Sequence, residues 1–261
     1  MTGFLHAFLP ACAFAIGLML VIWWLALRIK NLGIVDIAWS YAFAPVAIFF
    51  AATTHGNLTR RWLMAGMAAL WSVRLGTHLY IRVMGHHPYE DTRYTEMRAR
   101  WAKNLKLQVL IFFQLQAVLI ALLSIPFLLV CLNHRPGISP IEWLGAAIWL
   151  VAVTGEGVAD WQLKQFKARK DHGPVCRDGL WNYSRHPNYF FEWLVWVGFF
   201  VFALGSPLGC ATIYCPALML FFLLRVTGIP LTEALAVKTK GNAYREYQRT
   251  TSQFVPWFKK S

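Results

Sequence analysis

Long apolar blocks separated by short polar segments are the feature that most restricts how this chain of 261 residues can fold. A helix needs about 20 residues to cross roughly 30 Å of hydrocarbon. Blocks of about that length lie near 5–27, 33–54, 62–84, 107–132, 138–162, 189–205 and 207–227. Because the chain is also 57% hydrophobic and only 14% charged, we expect an all-α, polytopic membrane protein with about seven transmembrane helices.

Basic residues are distributed unequally between the two sides that alternating helices would define. One side carries only Arg60, Arg61 and Arg135. The other side carries the many Lys and Arg residues of segments 28–30, 82–106 and 164–185 and of the C-terminal tail. The positive-inside rule therefore predicts an outside N-terminus and a cytoplasmic C-terminus, in the inner (cytoplasmic) membrane. This topology and attraction to anionic lipid account for the net charge of +13, so we expect no nucleic-acid partner.

The chain shows no flexible linker, low-complexity run or internal repeat, which predicts a single membrane-embedded domain over residues 1–261. Residues 1–106 would hold helices one to three and a basic loop (85–106), and we assign any substrate contacts to this part. Residues 107–261 would hold helices four to seven and the polar site. The five cysteines have no CxxC spacing and no paired histidines, so we expect neither a metal site nor a disulfide framework. Nothing in the sequence implies an oligomer.

Ionisable residues inside apolar blocks are costly, so they usually face a cavity or a partner. Those of this chain are Asp36, Arg74, Glu156, Asp160, Glu192 and Arg225, with His78 one turn after Arg74. A stripe of Glu156, Asp160, Lys164 and Lys167 follows one face of the fifth helix. Each residue alone could form a structural ion pair between helices. Because groups of both signs occur together at the cytoplasmic ends of helices five to seven, we favour a wet pocket that opens toward the cytoplasm.

The segment from Gly179 to Tyr189 is the most specific local signal. Pro187 is tolerated in the first turn of a helix, which would place Arg185, His186 and Asn188 at a helix N-terminus. Such an end favours phosphate or carboxylate groups, although a lone histidine there is more often a capping residue than a catalyst. After the last apolar block, the tail is amphipathic, and we expect it to pack back over the pocket.

These residues together resemble the steroid 5-alpha-reductases, and especially their bacterial relatives. The resemblance rests on the 156–167 stripe and on the 179–192 segment that ends at Glu192. The segments Val35–Trp39, Arg74–Gly76 and Asp91–Tyr94 extend it to most of the chain. The resemblance implies seven helices, NADPH in a cytoplasm-facing cavity, and reduction of a 3-oxo-4-ene lipid such as a steroid. The protein would then be an oxidoreductase of lipid metabolism that acts on a carbon–carbon double bond.

By position, the resemblance assigns a set of residues to the cofactor site. Its members are Asp160, Lys164, Lys167, Asn188, Glu192, Arg225 and Tyr247, together with Glu156 and Arg74. The same segments contribute Arg93, Tyr94, Arg169, Tyr183, Arg185, His186, Tyr189, Glu233 and Tyr244 as further cofactor contacts. Basic residues from Lys164 to Arg169 could hold the 2′-phosphate that distinguishes NADPH from NADH.

Catalysis would need a hydrogen-bond donor or acid for the substrate carbonyl, whose oxygen gains negative charge as hydride arrives. The eukaryotic enzymes place a glutamate and a tyrosine there. In this chain the acidic counterpart falls near Asp36, and the tyrosine position aligns with Trp71. Because an indole N–H can donate a hydrogen bond but cannot protonate, Tyr41 and Tyr80 are alternative candidates.

A second family offers a competing interpretation. The Arg185–Tyr189 motif, followed by Arg225 and Glu233, also resembles membrane methyltransferases of isoprenylcysteine or phospholipid, which bind S-adenosylmethionine. Those enzymes typically have two adjacent acids at the later position, whereas this chain has a single acid there, and they do not account for the 156–167 stripe. A transporter or lipid-binding scaffold would carry polar residues toward both membrane faces. We therefore favour the reductase.

Overall fold

The computed structural model describes residues 2–259, and in that range it is built from helices without a β-strand. An isolated parallel bridge joins Ser184 to Ser252. The chain separates into two compact units, of which the second comprises Pro140–Leu204 and the chain from Cys210 onward. The first unit comprises the chain up to Ser139 and a short later segment, Gly205–Gly209. The single domain expected from the sequence stays a prediction.

The first unit contains six α-helices within the described range. They are α1 (Thr2–Ile29), α2 (Ile34–Thr53), α3 (Leu58–Met84), α4 (Thr92–Arg100), α5 (Leu105–Leu123) and α6 (Ile125–Cys131). Helices α2 and α3 pack through buried aromatic rings, since Phe43 and Trp71 lie 5.2 Å apart between ring centroids. The Ser72 hydroxyl donates to the Ser40 carbonyl at 2.5 Å, which joins the two helices by a buried polar contact as well.

Two arginines at the start of α3 bind backbone carbonyls. Arg60 is only 2% exposed, and its guanidinium donates to the carbonyls of Arg135 (2.6 Å) and Gly137 (2.5 Å). Arg61 donates to the carbonyls of Ala51 (2.8 Å) and Thr54. The last carbonyls of a helix have no partner within the helix, so Arg61 caps the end of α2 while Arg60 stabilises the loop before Pro140.

The second unit contains five α-helices within the described range. They are α7 (Pro140–Ala168), α8 (Pro187–Ala203), α9 (Tyr214–Phe221), α10 (Ile229–Lys240) and α11 (Asn242–Thr250), with a π-helical turn at Phe222–Val226 between α9 and α10. Helices α7 and α8 approach closely at two glycines. A Cβ atom at Gly145 would lie 2.3 Å from the Phe202 nitrogen, and one at Gly198 would lie 2.8 Å from Trp149. Small residues at such contacts allow membrane helices to pack backbone against backbone.

Five helical stretches of the described chain are long and apolar enough to cross a membrane. They are Thr2–Ile29, Ile34–Thr53, Ala102–Cys131, Pro140–Ala168 and Gly209–Lys240. The all-helical, multi-pass membrane class expected from the sequence is thus confirmed. The other two expected spans correspond to α3, which carries several arginines, and to α8, which has 17 residues. The count of seven and the orientation stay predictions.

Candidate functional site

The turn before α8 carries a buried ion pair. Pro187 occupies the first helical turn, as the sequence predicts. The preceding Arg185 side chain is 8% exposed, and its Nε donates to Glu233 Oε1 of α10 at 2.6 Å. Its Nη1 donates to the carbonyls of Gln248 (3.0 Å) and Thr251 (2.6 Å). The guanidinium is therefore surrounded by acceptors of the protein itself.

His186 shares the same carboxylate. Its Nε2 lies 3.2 Å from Glu233 Oε1, while Gln248 Nε2 donates to Glu233 Oε2 at 3.0 Å. The imidazole stacks on the Tyr189 ring with 5.4 Å between centroids and 6° between planes. Burial lowers the pKa of His186, with Glu233 opposing that change and Arg185 adding to it. His186 is therefore neutral near pH 7.

The C-terminal tail packs against the segment that leads into α8. The Tyr247 hydroxyl donates to the carbonyls of Trp181 and Ser184 (3.1 Å for Ser184). Ser184 Oγ donates to the Phe254 carbonyl at 2.7 Å, and the Trp257 amide donates to the Tyr183 carbonyl at 3.0 Å. Of the other predicted residues here, Tyr244 is buried, whereas Tyr183 is 41% exposed. The return of the tail onto this region, expected from its amphipathic pattern, is thus observed.

The acidic and basic stripe of α7 divides into buried and exposed parts. Glu156 is buried, and Asp160 is half-buried with its Oδ1 accepting from Asn188 Nδ2 at 3.3 Å. Lys164 and Lys167 are exposed. The structure therefore brings the predicted pair Asp160 and Asn188 together at the N-terminus of α8, beside two solvent-accessible lysines of the same stripe.

Glu192, Arg225 and Arg169 are also predicted to contact the cofactor, and each has a different environment. Glu192 is buried and accepts from the Trp196 indole on the same helix at 3.1 Å. Arg225 is exposed on the π-helical turn. Arg169 forms an exposed ion pair with Asp178. The pairing of Arg169 was not visible in the sequence, because Asp178 lies beyond a loop.

In the first unit, Asp36 is the centre of a separate polar cluster. Tyr94, on α4, is buried and donates its hydroxyl to Asp36 Oδ1 at 2.6 Å. Arg93 donates to Asp36 Oδ2 at 3.4 Å, and Arg82 Nη2 lies 3.9 Å from the same oxygen. Burial, and then the negative charge of Asp36, raises the pKa of Tyr94 well above its ordinary value. The cluster attaches the loop between α3 and α5 to the start of α2.

Asp91, which belongs to the segment Asp91–Tyr94 but was given no site role from the sequence, completes this cluster. Its carboxylate caps α4 by accepting from the Arg93 amide at 3.0 Å and also accepts from Arg93 Nε at 3.0 Å. Burial acts against ionisation, but the bonds and charge of Arg93, with Arg82, lower the pKa of Asp91 below its ordinary value. An aspartate directly before a helical segment is a capping signal that could have identified it.

The remaining catalytic candidates are Tyr41, Trp71 and Tyr80, whereas the side chains that contact the Asp36 carboxylate are Tyr94, Arg93 and Arg82. The Tyr41 hydroxyl bonds Thr77 Oγ1 at 2.9 Å. Trp71 is fully buried, and Tyr80 is 52% exposed. Arg74 lies half-buried on α3. Tyr94, assigned to the cofactor from its motif, is thus the hydroxyl that the first unit places against Asp36.

The fold and these clusters define a multi-pass helical membrane protein with a cluster of bonded polar residues in each of its two units. A family model described as "Protein of unknown function (DUF1295)" matches residues 22–251, so the chain belongs to this family. It is similar to the uncharacterized protein C594.04c of Schizosaccharomyces pombe, with 25% identity over 282 positions that cover 93% of this chain and 79% of the relative. No solved structure matches the chain.

Proposed function

We propose that the protein is an NADPH-dependent reductase that transfers hydride to the carbon–carbon double bond of a 3-oxo-4-ene steroid or a similar enone lipid. The relation of its family to steroid 5-alpha-reductase-like membrane proteins supports this. The observation that carries the proposal is the hydrogen bond between Asn188 Nδ2 and Asp160 Oδ1. This bond joins the stripe of residues 156–167 to the segment of residues 179–192, which are the two parts of the sequence on which the resemblance mainly rests.

The residues around this pair fit a pyridine dinucleotide. Asp160 offers carboxylate acceptors for ribose hydroxyls, and Asn188 offers an amide with both a donor and an acceptor. Lys164 and Lys167 are exposed, so they can reach a 2′-phosphate. Arg225 is a further exposed cation for phosphate oxygens. NADPH, when bound, would supply the hydride.

Buried residues of the second unit would hold this site in shape. Arg185, His186 and Glu233 bind one another and the tail, so their role in the proposal is to fix the turn that presents Asn188. A positioned site of this kind depends on such supporting contacts, because a catalytic group must be held within about 0.5 Å of its productive place. We therefore assign Asp160, Asn188, Lys164 and Lys167 to cofactor contact.

In this proposal Asp36 acts as a carboxylate that positions Arg93, whose guanidinium donates to the substrate carbonyl oxygen as that oxygen gains negative charge. The Asp36 side chain is 27% exposed, whereas Tyr94 behind it is buried. Tyr94 and Arg93 hold one carboxylate oxygen each and so fix its orientation. On this proposal, Asp36→Asn retains NADPH binding and loses turnover of an enone steroid. Full turnover by that variant would remove Asp36 from the mechanism.

Ligand-dependent thermal unfolding of the purified chain tests the proposal. A ligand at about 100 times its Kd stabilises the folded state by about 2.7 kcal/mol. We expect NADPH to raise the Tm of the native chain and to have little effect on Asp160→Ala. The double variant Lys164→Gln/Lys167→Gln should bind NADPH and NADH equally, whereas Lys103→Gln, an exposed lysine of the other unit, should keep the preference for NADPH. A shift with S-adenosylmethionine alone would support the methyltransferase and contradict the reductase.

A further inference from the structure

An apolar groove follows the outer face of α7, apart from the proposed cofactor residues. Its volume is about 540 Å³, and its lining on α7 extends from Leu150 to Gln162. This volume lies within the range of about 300–1,000 Å³ that is typical of ligand sites. The α7 spacing places Gly155, Val158 and Gln162 on one face, opposite Asp160 and Lys164. The groove and the polar stripe therefore use different faces of one helix.

Two close contacts shape the groove. A Cβ atom at Gly155 would lie 2.5 Å from the Phe191 ring, so the ring of α8 rests directly on the α7 backbone there. At the far end, Gln162 Oε1 accepts from the Leu180 amide at 2.9 Å. Gly179 has φ of +54°, and a side chain there would meet Gln162. The groove therefore ends where Gln162 contacts the segment that contains Gly179 and Leu180.

Helix α7 is one of the stretches able to span a membrane, so the groove lies where hydrocarbon replaces water. Leu150 and Val151 are 60% and 61% exposed and line its open side. Twelve residues of helix span about 18 Å, close to the roughly 15 Å of one leaflet's hydrocarbon. Apolar walls do not retain water. A single acyl chain matches both the apolar lining of the groove and its length of about 18 Å.

A charged pair lies at the polar end of this groove. Asp178 directly precedes the lining residue Gly179, and it pairs with Arg169, with side chains that are 38% and 58% exposed. A guanidinium recognises a phosphate, and a carboxylate recognises an ammonium group. The pair therefore complements a headgroup that carries both charges next to each other. Among lipids, a primary ammonium beside a phosphate is the headgroup of phosphatidylethanolamine.

We propose that the groove on α7 binds one phosphatidylethanolamine molecule, with an acyl chain along Leu150–Gln162 and the headgroup on Arg169 and Asp178. Lipid tails are as apolar as the groove, so selectivity must come from shape and from the headgroup. This site does not depend on the proposed reductase activity. An exposed ion pair contributes about 0.2–1 kcal/mol, which predicts a preference of about 1.4-fold to fivefold over a lipid that matches only one charge.

Native mass spectrometry of the full chain in detergent, titrated with lipids of identical oleoyl chains, tests the proposal. Phosphatidylethanolamine should bind first and more tightly than phosphatidylcholine, which lacks N–H donors, and than phosphatidylglycerol, which lacks the ammonium group. Val158→Trp, which fills the groove, should abolish the first binding event for every headgroup. Asp178→Asn should reduce phosphatidylethanolamine binding to the level of phosphatidylcholine.

The matched control is Val118→Trp, at an exposed apolar position of α5, which should bind lipid as the native chain does. If Val158→Trp fails to fold by circular dichroism and gel filtration, Thr154→Trp fills the same groove from another lining position. Equal affinity of the native chain for the three headgroups would overturn the headgroup assignment. Unchanged lipid binding by a folded groove variant would overturn the site itself.

Discussion

At the scale of single residues, the polar groups of the second unit act mainly on one another. Arg185 and His186 both contact one oxygen of Glu233, and Gln248 contacts the other. The sequence identifies Arg185 and His186 as unusual but cannot reveal their partner, because Glu233 lies 47 to 48 residues away and its position depends on the packing of α10. Buried charges are retained in folded proteins when such partners exist.

Removing the charge of Glu233 should therefore destabilise the fold. Glu233→Gln leaves the Arg185 guanidinium buried without a carboxylate, and breaking a buried pair typically costs about 3–5 kcal/mol. Reversible unfolding in mixed micelles would measure the loss. Glu246→Gln, which removes an exposed partner of Arg249, should have little effect. Equal stability of the two variants would contradict a stabilising role for the buried pair.

The protonation of His186 predicts how stability responds to acid. Burial lowers the pKa of His186 in the folded protein, whereas in the unfolded chain it is about 6.5. The unfolded state then binds more protons below that pH, so stability falls as the pH drops from about 7 to 5.5. The Tm of His186→Gln should change less over this interval than that of the native chain. A larger change in the variant would contradict the prediction.

At the scale of helices, the close contact of α7 with α8 depends on glycine. Gly145→Ala places a methyl group 2.3 Å from the Phe202 backbone and should cost about 1–3 kcal/mol by overpacking. Gly157 lies on the same helix with no atom within 4 Å of a Cβ there, so Gly157→Ala should be neutral or stabilise by up to about 1 kcal/mol. Thermal unfolding of both variants would measure the difference, and equal Tm values would contradict it.

The loop that contains α4 is held to the start of α2 by Tyr94. Tyr94→Phe removes its hydrogen bond to Asp36, and a bond to a charged group contributes about 1.5–3 kcal/mol. We expect faster trypsin cleavage in the basic loop, measured by mass spectrometry of the fragments. Tyr80→Phe, at an exposed hydroxyl of α3, is the control and should be cleaved as the native chain is. Unchanged cleavage of Tyr94→Phe would show that other contacts hold the loop.

Element boundaries follow from the sequence where local chemistry determines them. Pro187 begins α8, and the apolar blocks locate α1 and α2 within three residues at each end, whereas α7 continues six residues beyond its block. Long-range pairs are different. The bond between Tyr94 and Asp36 joins residues 58 positions apart. The pattern of apolar and polar segments does not specify which loop contacts which helix. The candidate site was therefore predictable as a set of unusual residues but not as two bonded clusters.

At the scale of the whole molecule, the asymmetry of basic residues predicts the orientation in the membrane. Arg60 and Arg61, two of the three arginines on the predicted outer side, bind carbonyls of the protein, whereas Arg135 is exposed. We expect alkaline phosphatase to be active when it is inserted at Gly137, on the predicted outer side, and inactive when it is fused to the C-terminus. Green fluorescent protein fused to the C-terminus should fluoresce, because that end is predicted to be cytoplasmic. The opposite pattern of the two reporters would reverse the topology.

The bonds of Arg185 to the tail also have a consequence for biosynthesis. Two acceptors of its guanidinium, the carbonyls of Gln248 and Thr251, are translated 63 and 66 residues after Arg185 itself. Helices α7 and α8 can enter the bilayer while the ribosome is still at work, but the turn between them makes these bonds only after Gln248 and Thr251 have left the ribosome. The turn before α8 therefore reaches its final structure later than the two helices that it connects.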